Sequence, residues 1–343
     1  MCNRNQHRLL ALGKESERDK NAHATQHMGR TGLRQILVRS ANKPIIQPMA
    51  TAVRGFAAFR VYLEMIKFEH SVFALPFAMI GMMWGSRSTG AGAWPGFKVF
   101  LLICLAMVAA RSAAMAYNRI VDRDIDAANP RTRMRAIPAG VLKLRQVNLF
   151  FFGSCAIFVL AAGLLNPLAL SLSPVALLVI LGYSQTKRFT SLCHFVLGLS
   201  LGIAPAAAWI GVTGRLNLAI LPITLAVVFW TSGFDIIYAL QDEEFDIQNG
   251  LKSLPAKLGK PRSLLISRLC HAAAIVSLGV GGAMVGAGLL WNLGVTVAAV
   301  LLAYEQSLVS PKDLSRVNMA FFTLNGFVSL AVFAFALADQ LIR

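Results

Sequence analysis

Charged residues are scarce in this sequence. Asp, Glu, Lys and Arg make up 14% of its 343 residues, while hydrophobic residues make up 56%. An ordinary soluble domain is about 25% charged and about 45–50% apolar. The scarcity of charge therefore argues against a soluble enzyme, and the apolar excess excludes a wholly disordered or collagen-like chain. Acidic residues are the scarcer sign, with 16 Asp and Glu against 33 Lys and Arg and a net charge of +17.

Four long stretches lack charged residues entirely: 146–186, 189–214, 269–304 and 317–338. About 18 apolar residues suffice to cross a bilayer. The first run, of 41 residues, is too long for one span, and Asn166-Pro167 divides it into two. The sequence thus predicts an all-α polytopic membrane protein with nine transmembrane helices. Their predicted spans are 64–86, 97–127, 147–166, 171–186, 191–211, 216–242, 263–284, 288–305 and 318–341.

Cysteine is also rare, with five residues and no CxxC spacing, so we predict neither a disulfide nor a sulfur-bound metal. The first 60 residues contain eleven Lys and Arg against three acids and lack the apolar run of a signal peptide. We expect a basic, disordered tail over 1–58, near an anionic membrane surface, and a transmembrane domain over 59–343. Because the tail lacks interleaved aromatic residues, we expect no nucleic-acid binding.

The loops between the predicted helices differ in charge from one side of the membrane to the other. One side holds Arg131, Arg133, Arg135, Lys143, Arg145, Lys187, Arg188, Lys252, Lys257, Lys260, Arg262, Lys312 and Arg316. The opposite loops hold Arg87, Lys98 and Arg215. The positive-inside rule places the basic side in the cytoplasm, so we expect a bacterial inner membrane in preference to a mitochondrial one. Near the opposite ends lie Trp84, Trp94, Trp209 and Trp291, which predict an interfacial aromatic belt.

Carboxylates gather at the ends of two predicted helices on the basic side. Asn118, Asp122 and Asp126 are spaced i, i+4 and i+8, so one helix face carries all three. Asp242 and Asp246 repeat this spacing at the end of the sixth helix. Carboxylates at a membrane edge need a partner, and carboxylate and amide oxygens suit Mg²⁺ with a substrate phosphate. Two facing clusters predict a site for divalent ions and a diphosphate whose carbon–oxygen bond ionises.

Other polar residues lie at or near the same ends. Asp235 lies two turns before Asp242, and Tyr183 and Lys187 are i, i+4 neighbours. Arg111 lies seven residues before Asn118, inside an apolar span, where an arginine needs an anion. That anion is a diphosphate, the carboxylate of a second substrate, or one of the aspartates.

Three motifs carry a family resemblance. They are Asn118-x3-Asp122-x3-Asp126, Tyr183-x3-Lys187, and Tyr238-x3-Asp242-x3-Asp246 followed by Lys252-Ser. Together, over roughly residues 60–343, they resemble the UbiA superfamily of membrane prenyltransferases, most closely the 4-hydroxybenzoate polyprenyltransferases. The resemblance implies nine helices around a central cavity, capped by the loops 127–146 and 242–262. It also implies Mg²⁺-dependent transfer of a polyprenyl group from its diphosphate to a phenolic aromatic acid, in ubiquinone or menaquinone biosynthesis.

The resemblance assigns roles to these residues. The implied ligands of Mg²⁺ and diphosphate are Asn118, Asp122, Asp126, Asp242 and Asp246. The implied substrate contacts are Arg111, Asn118, Tyr183, Lys187, Tyr238 and Lys252. Asp122, Asp235 and Asp242 are the predicted catalytic residues, with Asp235 near the acceptor to activate its phenol or receive a proton.

One position departs from the family pattern. Many relatives have Asp after the first motif's Asn, where this sequence has Arg119. Arg119 and the segment 66–76 are similar to a branch that prenylates 1,4-dihydroxy-6-naphthoate in the futalosine route to menaquinone. The sequence therefore leaves two acceptors, with 4-hydroxybenzoate favoured.

A cation-coupled transporter is the alternative from another class, with the carboxylates as its ion site. Transporters place such sites near the midplane on broken helices. Here both clusters lie at helix ends beside basic loops, which favours diphosphate chemistry.

Overall fold

The computed structural model describes residues 61–65 and 71–343, with the side chains of 71 and 72 excepted. The predicted tail, 1–58, and most of the segment similar to the naphthoate branch lie outside the described residues. Within them the chain is helical and contains no strand.

Nine long helices of the described residues correspond to the nine predicted spans. They are α1 (Ser71–Ser88), α2 (Phe97–Val121), α4 (Leu144–Leu165), α5 (Pro167–Thr186), α6 (Cys193–Thr213), α7 (Leu221–Ala239), α9 (Leu254–Met284), α10 (Leu289–Ser307) and α11 (Asn325–Leu341), the last preceded by a π-helical turn, Met319–Leu324. Two short helices complete the order, α3 (Arg123–Ala128) and α8 (Glu243–Gln248). Among the described residues, eight helices are long and apolar enough to span a membrane, and α1 is the ninth predicted span.

The polar pair that divides the longest apolar run forms a tight turn between α4 and α5. The side chain of Asn166 accepts a hydrogen bond from the backbone N–H of Ala169, and Pro167 begins α5. These are the residue types that favour a helix start. The Asn166 amide also donates to the carbonyl oxygens of Ile210 and Gly211, which fixes this turn against the end of α6.

Both acidic helix ends break at an aspartate. Helix α2 stops at Asp122, whose φ of −92° and ψ of 7° are not helical, and α3 begins at the next residue. Helix α7 tightens into a 3₁₀ turn, Leu240–Asp242, before α8. The predicted second helix, 97–127, is therefore two helices, and the three residues of its motif lie on either side of a bend.

The loop predicted over 242–262 is shorter in the structure. The sequence predicts that the seventh helix starts at residue 263, after a proline-containing turn over 252–259. Instead α9 begins at Leu254, where the Ser253 side chain caps it by accepting from the N–H of Ala256. The chain passes through Gly259 with φ 76° and ψ 166°, which kinks α9 without ending it.

Close helix contacts use small residues. A methyl group added at Gly81 of α1 would lie 2.1 Å from the carbonyl oxygen of Pro205 in α6. One added at Gly198 of α6 would lie 2.4 Å from the carbonyl oxygen of Val228 in α7. Small residues let helix backbones approach within a membrane, and here they hold α6 between α1 and α7.

The predicted tryptophan belt is wrong for three of its four members. Trp84, Trp209 and Trp291 are buried, and the rings of Trp84 and Trp291 pack with centroids 4.9 Å apart. Trp94 alone of the four is exposed. These three rings therefore fill the core, where their large apolar area contributes to packing.

Candidate active site

The first acidic motif lies at the junction of α2 and α3. The Asn118 amide donates to Asp122 Oδ2 at 2.8 Å, and the backbone N–H of Asp126 donates to the Asp122 carbonyl at 2.7 Å. All three motif residues line one polar cavity of about 240 Å³. The bend at Asp122 therefore keeps them on a common wall.

The second acidic motif contributes to the same cavity from the end of α7. Asp235 and Asp242 line it together with the first motif, although more than 100 residues separate the two in sequence. The full lining comprises Asn118, Asp122, Ile125, Asp126, Asn129, Arg131, Thr132, Arg135, Ser184, Lys187, Arg188, Asp235, Asp242, Phe245 and Leu251. The predicted meeting of the two helix ends is thus present in the geometry.

Asp246 takes a different place from the other aspartates. Its side chain is fully buried and does not line the cavity. It accepts a hydrogen bond from the Ser253 hydroxyl at 2.7 Å and forms an ion pair with Lys187 at the same distance. Lys187 does line the cavity, so Asp246 orients a cavity cation.

Each aspartate of the two motifs has a basic partner. The pairs are Asp122–Arg188 at 3.1 Å, Asp126–Arg135 at 2.6 Å, Asp242–Arg131 at 2.5 Å and Asp246–Lys187 at 2.7 Å. Four carboxylates and four cations balance in charge, which offsets the cost of holding the acids at the end of an apolar bundle. An added anion would find four cations already gathered around it.

Three of these cations were not among the predicted site residues. Arg131, Arg135 and Arg188 were assigned only to a basic loop side. Their signal in the sequence is the density of basic residues in the loops that follow the first acidic motif and the Tyr-x3-Lys motif. Their individual partners depend on the fold, since Arg131 reaches Asp242 across 111 residues of sequence.

Four predicted substrate contacts lie outside the cavity wall: Arg111, Tyr183, Tyr238 and Lys252. Tyr238 contacts a residue of the cavity wall, because its hydroxyl accepts a hydrogen bond from Arg131 at 2.9 Å. Lys252 has an exposed side chain, and its backbone N–H donates to the Lys187 carbonyl at 2.7 Å.

Tyr183 and Arg111 lie within the apolar spans α5 and α2, and both are half-buried. Arg119, at the position that departs from the family pattern, is buried and donates to the Asn118 side-chain oxygen at 3.2 Å. It adds a cation beside the first motif.

A histidine that the sequence did not single out contacts Asp235. His194 Nδ1 lies 2.7 Å from Asp235 Oδ2, and the imidazole is buried. A lone histidine in an apolar run gives no signal for this role, because its partner lies 41 residues away.

Burial and neighbouring charge tune the groups outside the membrane spans. Burial, together with the charge of Asp126, raises the pKa of Asp122 above its ordinary value, although Arg188 opposes this. Burial lowers the pKa of Arg131, but its hydrogen bond and ion pair with Asp242 outweigh burial and leave the pKa raised. Arg131 is therefore a permanent cation in the cavity.

The donor set fits Mg²⁺ that is completed by a substrate. Among the described residues no three His, Cys, Asp or Glu side chains form a ready-made metal cluster. Asp126 Oδ2, however, is a buried carboxylate oxygen without a hydrogen-bond partner. Mg²⁺ is commonly held by one or two carboxylates plus substrate phosphates, which is the number each motif offers.

Comparison with known proteins identifies a family for this chain. Residues 74–330 match the model of the UbiA prenyltransferase family. A 4-hydroxybenzoate octaprenyltransferase of Saccharophagus degradans is 32% identical over 248 residues, which cover 72% of this chain and 82% of that protein. The enzyme of the same name from Vibrio cholerae is 28% identical over 286 residues, 83% of this chain and 97% of its own.

Solved structures share the fold. A UbiA homologue from Aeropyrum pernix K1 superposes with a TM-score of 0.71 at 33% identity, covering 79% of this chain and 98% of its own. An Archaeoglobus fulgidus homologue, bound to GPP and Mg²⁺, has a TM-score of 0.64 at 20% identity and covers 82% and 99%. The chain belongs to the UbiA prenyltransferase family, and it is a multi-pass membrane enzyme that transfers a prenyl group.

Proposed function

We propose that this chain transfers a polyprenyl group from polyprenyl diphosphate to the ring of a phenolic aromatic carboxylic acid, with 4-hydroxybenzoate as the favoured acceptor. The observation that carries the proposal is the single cavity lined by Asp122, Asp126 and Asp242 together with basic side chains. The relatives named 4-hydroxybenzoate octaprenyltransferase support both the acceptor and a long prenyl donor. The product belongs to quinone biosynthesis.

The carboxylates would hold the metal. Asn118, Asp122, Asp126 and Asp242 line the cavity, and the A. fulgidus homologue bound to GPP and Mg²⁺ supports a site that would hold both Mg²⁺ and a prenyl diphosphate. Asp246, which is paired with Lys187, would join this set if Lys187 bound the diphosphate instead. Mg²⁺ in this position supplies positive charge that stabilises the departing diphosphate.

The basic side chains would bind the diphosphate directly. Arg131, Arg188 and Lys187 all line the cavity, and each is paired with an aspartate that would exchange it for metal. Guanidinium groups match phosphate oxygens in geometry as well as charge. The exchange keeps every buried charge paired, which lowers the cost of substrate entry.

The reaction breaks the allylic carbon–oxygen bond, and its electron pair leaves with the diphosphate. The ring carbon ortho to the phenol attacks the allylic cation and forms the new carbon–carbon bond. The same ring carbon then loses its proton. Asp235, at the α7 wall of the cavity, activates the phenol or receives this proton.

Location follows from charge. The aspartate end of the bundle carries the basic loops, and the positive-inside rule puts such loops in the cytoplasm. We propose that the enzyme lies in a bacterial inner membrane with its cavity opening toward the cytoplasm, where the soluble acceptor enters. The polyprenyl donor arrives from the lipid.

The experiment is a turnover assay in membranes with Mg²⁺ and several prenyl diphosphates. Both 4-hydroxybenzoate and 1,4-dihydroxy-6-naphthoate are offered, and products are identified by mass spectrometry. We expect a prenylated 4-hydroxybenzoate. Exclusive prenylation of the naphthoate would show that the naphthoate, and not 4-hydroxybenzoate, is the acceptor. The absence of any prenylated ring would refute the proposed function.

Two variants test the two-motif site in the same assay. Asp122→Ala and Asp242→Ala should each abolish Mg²⁺-dependent product formation while the protein still inserts. Asp124→Ala is the matched control, because the Asp124 side chain is 85% exposed and lies on α3, two residues after Asp122. Near-normal activity of either test variant would show that the two motifs do not act together.

A further inference from the structure

We propose that His194 is a positioning residue that holds Asp235 toward the acceptor. This inference rests on the proposed function, since it concerns the group that handles the acceptor's proton. It adds a role for a residue that none of the family motifs includes.

The two hydrogen bonds of the imidazole define its state. The backbone N–H of Leu254 donates to Nε2 at 3.3 Å, so Nε2 is the acceptor nitrogen. The proton therefore lies on Nδ1, which donates to Asp235 Oδ2 at 2.7 Å. In this arrangement Oδ2 of Asp235 accepts a hydrogen bond from the imidazole, which orients the carboxyl group that would receive the proton.

The surroundings fix the imidazole in place. His194 is only 2% exposed, whereas the Asp235 side chain is 22% exposed and lines the cavity. The Ser232 hydroxyl, on α7, donates to the His194 carbonyl at 3.2 Å. Helix α6 thus meets α7 three residues before Asp235, and one carboxylate oxygen is tied while the other remains for the cavity.

The second hydrogen bond connects this pair to the metal side of the cavity. Leu254 follows Ser253, whose hydroxyl donates to Asp246 at 2.7 Å. Cys193, next to His194, donates through its thiol to the Lys252 carbonyl at 3.5 Å. The start of α9 therefore lies between Asp246 and His194, and its Leu254 N–H holds the second ring nitrogen of the imidazole.

Two substitutions separate the two bonds of His194. An asparagine amide reaches the place of Nδ1, so His194→Asn keeps a donor to Asp235 and loses the contact with Leu254. A glutamine reaches the place of Nε2, so His194→Gln keeps an acceptor for the Leu254 N–H and loses Asp235. The two variants have the same polarity and differ in reach.

The full-length chain in membranes is assayed with 4-hydroxybenzoate, Mg²⁺ and a prenyl diphosphate. We expect His194→Gln to lower kcat by about a hundredfold, the scale of a proton-transfer group, with KM for the prenyl diphosphate unchanged. The kcat of His194→Asn should stay within about fivefold of the wild-type kcat, because its donor to Asp235 is kept. The double variant Asp235→Asn/His194→Gln should be no slower than Asp235→Asn alone, because the two residues act as one unit.

Binding of prenyl diphosphate with Mg²⁺, measured without acceptor, reports folding of every variant and should match the wild type. Equal loss of kcat in His194→Asn and His194→Gln, or loss of diphosphate binding in both, would assign His194 a structural role and overturn the proposal. Multiplying losses in the double variant would overturn it as well. Failure of the proposed function is a separate result, in which the wild-type chain itself prenylates no ring.

Discussion

Arg131 donates two hydrogen bonds to the Asp242 carboxylate: Nη2 lies 2.5 Å from Oδ2, and Nε lies 3.1 Å from Oδ1. The same guanidinium donates to the Tyr238 hydroxyl at 2.9 Å and lies 5.2 Å from the centre of its ring. The loop after the first motif is thereby fastened to the second motif. This contact brings a cation to the place where the diphosphate would lie.

Arg131→Ala should therefore raise KM for the prenyl diphosphate by about tenfold or more, the value of one charge-assisted hydrogen bond. The chain should still fold, because this side chain is 35% exposed and lies outside the apolar core. Steady-state kinetics with varied prenyl diphosphate measures the change. Arg133→Ala is the control, since Arg133 lies on the same loop with an exposed side chain. An equal effect of the two substitutions would mean that only the general charge of the loop matters.

Removal of Mg²⁺ should stop turnover without unfolding the protein. Each motif aspartate is already neutralised by Arg131, Arg135, Arg188 or Lys187, so the fold does not depend on metal to balance its acids. We expect EDTA to abolish product formation and to shift Tm in detergent by no more than about 3 °C, which corresponds to about 1 kcal/mol for a chain of this size.

Adding Mg²⁺ back should restore the rate. A large fall in Tm on chelation would instead mean that the ion pairs do not stabilise the metal-free site. Thermal scans by intrinsic fluorescence and product formation in the same samples distinguish these outcomes.

Hydrophobic patterning predicted the nine helices because each apolar run must satisfy its backbone within itself in a lipid environment. The Asn166-Pro167 turn could be predicted from the sequence, because helix capping and proline geometry act over a few residues. The spacing of the two acidic motifs was readable for the same reason. All of these features depend on neighbours within about two helical turns.

The sequence did not predict features that depend on tertiary contacts. The start of α9 is a local feature that was misplaced for another reason: Ser253 and Pro255 are typical of a helix start, but Pro255 and Gly259 are also typical of a turn. The contact between His194 and Asp235 joins two helices, so neither residue predicts the other. Burial of Trp84 depends on Trp291, 207 positions away, which no local pattern indicates.

The contact between α1 and α6 should tolerate no added methyl group. A Cβ at Gly81 would lie 2.1 Å from the Pro205 carbonyl oxygen and 2.8 Å from its Cα, and both are backbone atoms. Gly81→Ala should therefore destabilise the chain by about 1–3 kcal/mol, the usual cost of overpacking.

Thermal unfolding in detergent measures this loss. Gly153→Ala, on α4, is the matched control, because a Cβ there meets no heavy atom within 4 Å. It should leave Tm unchanged. A Gly81→Ala protein as stable as the control would show that α1 and α6 can move apart at no cost.

Glu305 forms a buried network and is not part of the cavity wall. It is 0% exposed on α10, its Oε1 accepts from the Asn325 amide at 3.1 Å, and Asn325 accepts in turn from Trp230 at 2.6 Å. No ion pair found among the described residues includes Glu305. Its contribution should therefore come from its hydrogen bond rather than from its charge.

Glu305→Gln keeps an acceptor for Asn325, so we expect its stability and turnover to match the wild type. Glu305→Ala leaves the Asn325 amide without this acceptor and opens space beside Asn325, so it should lower stability by about 1–3 kcal/mol. Thermal unfolding in detergent compares the two variants, with prenyl transfer measured alongside. If Glu305→Gln were as unstable as Glu305→Ala, the carboxylate charge itself would be required, and the network would need a cation that these contacts do not include.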